Sequence, residues 1–202
     1  MQLQLTELRI AGFGGQGVIL SAIVLGKAAS IYQGAYATMT QNFGPEARGG
    51  ACSAQLVLSG EPVLYPYITH PGIMVVMSQE AYTRFVPELK EGGTLIVEQD
   101  LVRVIDLPRQ TKVYSCPATR IAEELGKRMV LNSVMVGFFT AVTRLLDPDA
   151  VRKAVADSVP RHPLRAEPES LRKRLRVRSA VASRTTPLTR TRTHQLRGGV
   201  AA

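Results

Sequence analysis

The pattern of apolar and polar positions along residues 3–158 predicts strands that alternate with helices. Short apolar or alternating runs typical of strands lie at 3–11, 36–40, 51–59, 73–78, 94–98, 102–105 and 112–116. Longer runs with helical spacing lie at 18–33, 79–89, 119–125, 132–146 and 149–158. Such alternation predicts an α/β protein with three layers, α/β/α, around a mostly parallel or mixed sheet.

A glycine-rich turn separates the first predicted strand from the first predicted helix. It reads Gly12-Phe13-Gly14-Gly15-Gln16-Gly17. Glycines let the backbone turn sharply and approach a ligand, and a helix that begins near Gln16 would point its free N–H groups into the turn. A phosphate or pyrophosphate is the expected ligand, which makes the predicted domain Rossmann-like. The alternative is a turn that only packs a strand against a helix.

Two common kinds of nucleotide site fit this turn poorly. The spacing of Gly12, Gly14 and Gly17 matches the dinucleotide fingerprint, which also requires an acidic residue about 20 positions later for the ribose. Residues 18–45 contain no acidic residue, and the first is Glu46. No Gly-Lys-Ser or Gly-Lys-Thr follows the glycines, so the turn is not a Walker A loop.

The formal net charge of +9 is confined to the C-terminal segment. Residues 1–160 carry 14 basic and 14 acidic residues, whereas residues 161–202 carry 11 basic and 2 acidic residues and no aromatic residue. This composition predicts a folded domain at 1–160 and a basic, disordered tail at 161–202. A basic helix at 172–178 that binds RNA or an acidic partner is the alternative, although the neutral domain argues against a nucleic-acid-binding protein.

The remaining chemistry-bearing residues suggest neither a metal site nor a catalytic side chain. Cys52 and Cys116 are far apart and form no metal-type pair, which favours a reduced cytoplasmic protein. No signal peptide or membrane span is expected from the N-terminus or from the length of the apolar runs. The sequence contains no recognisable Ser/His/Asp set or Cys/His pair, so we expect no catalytic residue in this chain.

A second motif follows the glycine turn and makes a family recognisable. Residues 42–50 read Asn-Phe-Gly-Pro-Glu-Ala-Arg-Gly-Gly, and further matching segments are Tyr65-Pro66 and Asn132-Ser133-Val134-x-x-Gly137. Together with the glycine turn, these segments resemble the gamma subunit of 2-oxoacid:ferredoxin (acceptor) oxidoreductases. The resemblance covers roughly residues 5–160.

The resemblance implies one subunit of an oxidoreductase complex. In this family alpha and beta subunits, and a delta subunit where one is present, supply thiamine diphosphate and [4Fe–4S] clusters, and electrons pass to ferredoxin. The 2-oxoacid, with 2-oxoglutarate favoured over pyruvate or branched-chain 2-oxoacids, becomes an acyl-coenzyme A. The gamma subunit helps to hold coenzyme A, and it binds no cofactor alone. An indolepyruvate oxidoreductase small subunit and a free-standing nucleotide-binding module are the alternatives.

Residue chemistry and the resemblance together suggest residues that bind coenzyme A. These are Gly14, Gly15, Gln16, Gly17, Arg48 and Asn132. Gln16 either contacts a phosphate or a pantetheine amide, or is an ordinary first-turn helix residue. Arg48 either pairs with a phosphate or anchors its loop or a partner subunit. Asn132 precedes an apolar helix, which favours an N-cap over a ligand contact.

The resemblance ends where the basic tail begins. Relatives continue with a helix that contains asparagine and aromatic residues, whereas residues 161–202 are rich in arginine and lack aromatic residues. An out-of-frame reading of a GC-rich gene would produce such a composition.

Overall fold

A computed structural model describes residues 3–43, 50–125 and 130–158. The strands are β1 (Thr6–Phe13), β2 (Tyr36–Asn42), β3 (Ala51–Ser59), β4 (Ile73–Val76), β5 (Thr94–Glu98) and β6 (Lys112–Cys116). The helices are α1 (Val18–Lys27), α2 (Gln79–Phe85), α3 (Ala118–Glu124), α4 (Leu131–Thr143) and α5 (Pro148–Ser158). A π-helical turn, Ala28–Tyr32, extends α1, and a 3-10 turn, Val86–Glu88, extends α2.

The six strands form one mixed sheet in the order β2-β3-β1-β4-β5-β6. Strand β1 pairs antiparallel with β3 and parallel with β4, and β5 and β6 continue in the parallel direction. The carboxyl ends of β1, β4, β5 and β6 therefore lie along one edge of the sheet. This edge is where α/β proteins with parallel strands place ligands.

Helices cover both faces of the sheet, as the α/β/α prediction requires. On β1 the side chains of Leu8 and Ile10 are buried in the same core as α1, α4 and α5. Ala11 points to the opposite face and joins a second core with α2, which includes Met74 and Val76 of β4. Burial of each large aliphatic side chain stabilises the fold by about 1.5–3 kcal/mol. Apolar packing on both faces of the sheet therefore stabilises β1 in its central position.

The predicted strand at 102–105 is wrong. Its backbone N–H groups are used outside any ladder: Val102 N–H donates to the Glu98 carbonyl, Arg103 N–H to Gln79 Oε1, and Ile105 N–H to the Tyr82 hydroxyl. An apolar run this short cannot reveal that α2 side chains take the place of a neighbouring strand. The other predicted strands and helices are present: the strands at 51–59, 94–98 and 112–116 have the predicted ends, and the remaining elements have shifted ends.

Two predictions concern residues outside the described ranges. They are the role of Arg48 in the motif at 42–50 and the basic, disordered tail at 161–202. Among the described residues, no helix combines the length and the apolarity that a membrane span requires.

Candidate functional site at the glycine turn

The glycine turn lies at the carboxyl end of β1, where β1 has an antiparallel neighbour on one side and a parallel neighbour on the other. Gly15 and Gly17 have φ values of +97° and +76°, in the region that favours glycine. Helix α1 begins at Val18, the first residue of the predicted helix, and its first helical hydrogen bond runs from Ser21 N–H to the Gly17 carbonyl at 2.8 Å. The N–H groups that precede Ser21 in this first turn therefore have no partner within the helix.

A second helix begins beside the same turn. A Cβ atom built on Gly17 would lie 2.7 Å from both Cβ and Cγ of Asn132, so the Asn132 side chain occupies the space next to Gly17. Asn132 is the second residue of α4 and is 7% exposed. The predicted N-cap role of Asn132 is wrong, because Val130 is the flanking residue and α4 already begins at Leu131.

The two helix N-termini make this region electropositive. Helices α1 and α4 have 10 and 13 residues, and neither has an acidic residue in its first turn. Each N-terminus carries a partial positive charge of roughly half a unit from the aligned peptide dipoles. The turn therefore combines exposed glycine backbone at Gly14 and Gly15 with the positive ends of two helices.

The side chain of Gln16 is used within the protein. Its Oε1 accepts a hydrogen bond from Phe13 N–H at 2.7 Å, and its Nε2 donates to the Met77 carbonyl at 2.9 Å. Sequence analysis did not find Met77, because a backbone carbonyl contributes to a site through its position and leaves no signal in residue type.

Gly50, the first described residue after the segment with Arg48, lies against the turn. Gly14 N–H donates to the Gly50 carbonyl at 3.4 Å, which places the start of β3 against the turn. Arg48 precedes Gly50 by two positions and lies outside the described residues. Its role remains a prediction.

A buried carboxylate lies at the same edge of the sheet, at the end of β5. Glu98 is fully buried and accepts hydrogen bonds from Asp100 N–H at 2.8 Å, Leu101 N–H at 2.7 Å and Thr119 N–H at 2.9 Å. It thereby joins β5 to the start of α3. Sequence analysis missed Glu98, although a glutamate that ends an apolar run and precedes two polar residues is a signal for such a role.

The thiol of Cys116 lies opposite Glu98 in the β5–β6 register. Burial, and secondarily the negative charge of Glu98, raises the pKa of Cys116 from 9.0 to about 12. Burial also raises the pKa of Cys52. A thiol that stays protonated is a poor nucleophile and a poor metal ligand. Within the described ranges, no cluster of three or more His, Cys, Asp or Glu residues could hold a metal ion.

The geometry defines a class: a three-layer α/β protein whose glycine turn lies at the edge formed by the carboxyl ends of the parallel strands. Comparison with known proteins gives the family. The family of pyruvate ferredoxin/flavodoxin oxidoreductases matches residues 7–171. The chain belongs to this family, and the predicted relation to the gamma subunits of 2-oxoacid:ferredoxin oxidoreductases is confirmed.

Individual relatives agree with this membership. The 2-oxoglutarate synthase subunit KorC of Methanothermobacter thermautotrophicus is 49% identical over 160 residues, which cover 76% of this chain and 85% of KorC. The crystal structure of the keto/oxoacid ferredoxin oxidoreductase gamma subunit from Geobacter sulfurreducens is similar with a TM-score of 0.75 and 32% identity. That likeness covers 90% of this chain and 99% of the Geobacter chain.

A more distant structure shares the fold. The 2-oxoglutarate:ferredoxin oxidoreductase from Magnetococcus marinus, solved with 2-oxoglutarate, coenzyme A and succinyl-CoA bound, has a TM-score of 0.75 at 20% identity. The likeness covers 89% of this chain and 31% of the Magnetococcus chain. The same architecture therefore also occurs as part of a longer polypeptide.

Proposed function

We propose that this chain is the gamma subunit of a 2-oxoglutarate:ferredoxin oxidoreductase and that its glycine turn receives a phosphate of coenzyme A. The 49% identity to a subunit named for 2-oxoglutarate synthase supports the choice of 2-oxoacid. The Magnetococcus enzyme, whose fold includes this domain, was solved with coenzyme A bound, which supports the choice of ligand.

The meeting of two helix N-termini at one glycine turn carries the proposal. Coenzyme A presents a pyrophosphate and a 3′-phosphate, and helix N-termini favour such anions through free N–H groups and the helix dipole. The close approach of Asn132 to Gly17 brings the start of α4 to the start of α1. A ligand held by its phosphates needs no acidic residue for a ribose, which agrees with the absence of acidic residues from 18–45.

Five of the six candidate residues have a direct part in this proposal. Gly14, Gly15 and Gly17 present backbone to a phosphate, and Asn132 lines the turn from the side of α4. Arg48 supplies the cation that pairs with a phosphate, because its loop ends at Gly50 beside Gly14. These groups bind and orient coenzyme A and transfer no electrons.

The chemistry belongs to other subunits in this proposal. Alpha and beta subunits, with delta where present, hold thiamine diphosphate and [4Fe–4S] clusters, and the complex reduces ferredoxin in the cytoplasm. Decarboxylation of the 2-oxoacid therefore takes place on the partner subunits, and this chain presents the thiol-bearing acyl acceptor. The domain spans residues 1–160, and the basic segment 161–202 is a separate tail.

Replacement of Gly15 provides a test with a matched control. A Cβ atom on Gly15 meets no atom within 4 Å, so a side chain fits there, and aspartate and asparagine bear the positive φ with similar strain. Gly15→Asp adds a negative charge beside the proposed phosphate, whereas Gly15→Asn adds almost the same shape without charge. In the assembled complex we expect Gly15→Asp to raise the KM for coenzyme A about tenfold above that of Gly15→Asn. This factor is about 1.4 kcal/mol, the repulsion of unit charges roughly 6 Å apart at an intermediate dielectric.

Controls for this test come from the same assay. The KM for 2-oxoglutarate should be equal in the two variants, because that substrate binds on the partner subunits. The difference between Gly15→Asp and Gly15→Asn in the KM for coenzyme A should shrink at high salt, because salt screens an exposed charge. Equal coenzyme A constants for Gly15→Asp and Gly15→Asn would refute a phosphate at the turn.

A further inference from the structure

The side chain of Gln16 lies between two backbone groups that would otherwise bond directly to each other. Strands β1 and β4 are parallel, with Ala11 opposite Val76, and Met77 N–H donates to the Ala11 carbonyl at 2.9 Å. The next bond of a parallel ladder would run from Phe13 N–H to the Met77 carbonyl. Instead, Phe13 N–H donates to Gln16 Oε1 and Gln16 Nε2 donates to the Met77 carbonyl.

The carboxamide thus replaces one backbone hydrogen bond of the sheet. It supplies one acceptor and one donor, as a peptide group does, and it separates β1 from the segment after β4 by its own width. A side-chain bridge thus continues the hydrogen-bond ladder between β1 and the segment after β4. The two backbones diverge at the edge of the sheet where the glycine turn begins.

Gly12 makes room for this bridge. A Cβ atom on Gly12 would lie 2.5 Å from Gln16 Oε1, closer than any real Cβ contact, and 3.1 Å from Cγ2 of Val18. Glycine at position 12 therefore admits the carboxamide, and the first glycine of the motif serves Gln16 rather than a ligand.

We propose that Gln16 is a positioning residue, which holds the glycine turn open in the absence of ligand and acts on coenzyme A only through the turn. Ligands of α/β sheets bind where adjacent strands diverge, and the bridge fixes that divergence between β1 and β4. The effect on coenzyme A rests on the function proposed above, whereas the bridge itself does not.

Amide hydrogen exchange in the ligand-free complex tests the bridge directly. Gln16→Met keeps the length of the side chain and removes both hydrogen bonds, so exchange at Phe13 should accelerate about tenfold, the effect of losing one or two hydrogen bonds. Gln16→Leu removes the same two hydrogen bonds with a shorter, uncharged side chain, so exchange at Phe13 should accelerate to a similar extent. If Gln16→Met fails to assemble, equal exchange in Gln16→Leu and the unmutated protein overturns the bridge.

Gln55 offers a matched control elsewhere in the sheet. Its Oε1 accepts from Ile68 N–H and its Nε2 donates to the Ile68 carbonyl, both at 3.1 Å. Thr40 Oγ1 also donates to Gln55 Oε1 at 3.2 Å. Gln55→Met therefore removes at least as many side-chain hydrogen bonds from the sheet as Gln16→Met does, and it should leave exchange at Phe13 unchanged. Faster amide exchange at Phe13 in Gln16→Met but not in Gln55→Met supports the bridge. Equal exchange in Gln16→Met and the unmutated protein overturns it.

The KM for coenzyme A, measured in the same variants, distinguishes a failure of this inference from a failure of the proposed function. Accelerated exchange with a coenzyme A KM raised several-fold, and with kcat unchanged at saturation, supports both. Accelerated exchange with an unchanged coenzyme A KM leaves the bridge standing and overturns the proposed ligand site. A raised coenzyme A KM without accelerated exchange makes Gln16 a ligand contact and overturns the positioning role.

Discussion

Gly17→Ala should destabilise the domain through two separate effects. A non-glycine residue at φ +76° costs about 1–2 kcal/mol of backbone strain. The new methyl group would also lie 2.7 Å from Cβ and Cγ of Asn132, and overpacking of this kind costs about 1–3 kcal/mol. We therefore expect the free energy of unfolding to fall by about 2–5 kcal/mol, which lowers the Tm by about 2–4 °C for each kcal/mol in a domain of this size.

Gly15→Ala isolates the first effect from the second. Its φ of +97° imposes strain, but no atom lies within 4 Å of the added Cβ, so its cost should be about 1–2 kcal/mol. Urea denaturation of the full-length chain measures both variants.

A double-mutant cycle then assigns the difference to Asn132. Asn132→Gly removes the atoms that the new methyl group would meet, so Gly17→Ala should cost about 1–3 kcal/mol less in that background than in the unmutated chain. If Gly17→Ala and Gly15→Ala cost the same, or if the cycle shows no coupling, the two helix N-termini are not in contact through Asn132. The geometry used for the anion site would then be refuted.

Two further predictions concern the buried pair at the ends of β5 and β6. Glu98→Ala leaves three backbone N–H groups without their acceptor and should lower the free energy of unfolding by at least about 3 kcal/mol in urea denaturation. Arg120→Ala, which removes only the exposed ion pair with Asp100, should lower it far less, and equal losses for the two variants would contradict the role of Glu98. The pKa of the Cys116 thiol is about 12 in the folded state, whereas its pKa in the unfolded chain is near 9.0. Its contribution to stability is therefore complete below pH 9 and is lost between pH 9 and 12, at up to about 1.4 kcal/mol for each pH unit. Stability measured against pH should show this loss in the unmutated chain and not in Cys116→Ala, and identical curves would exclude a raised pKa.

The local pattern of the sequence was sufficient for the family, the layers and most elements. The alternation of short apolar runs with helical runs depends on which face of each element is buried, and this is a property of neighbouring residues. The glycine turn at 12–17 was visible for the same reason, because positive φ values at Gly15 and Gly17 restrict the residue type at each position. Among the predicted strands that lie in the described ranges, only the one at 102–105 is wrong. Side chains of α2 accept hydrogen bonds from the N–H groups of Arg103 and Ile105 there.

The partners of polar side chains were decided by the tertiary structure alone. Gln16 was a candidate for a ligand contact or an ordinary first-turn residue, and the structure shows its carboxamide bridging β1 and Met77, which is 61 positions away. Asn132 was expected to cap its own helix, yet it packs against Gly17. Periodicity indicates which side of a strand or helix faces inward, but strand order and register determine which backbone group meets a side chain there. That information is absent from any local segment, because it arises only when distant strands are brought into one sheet.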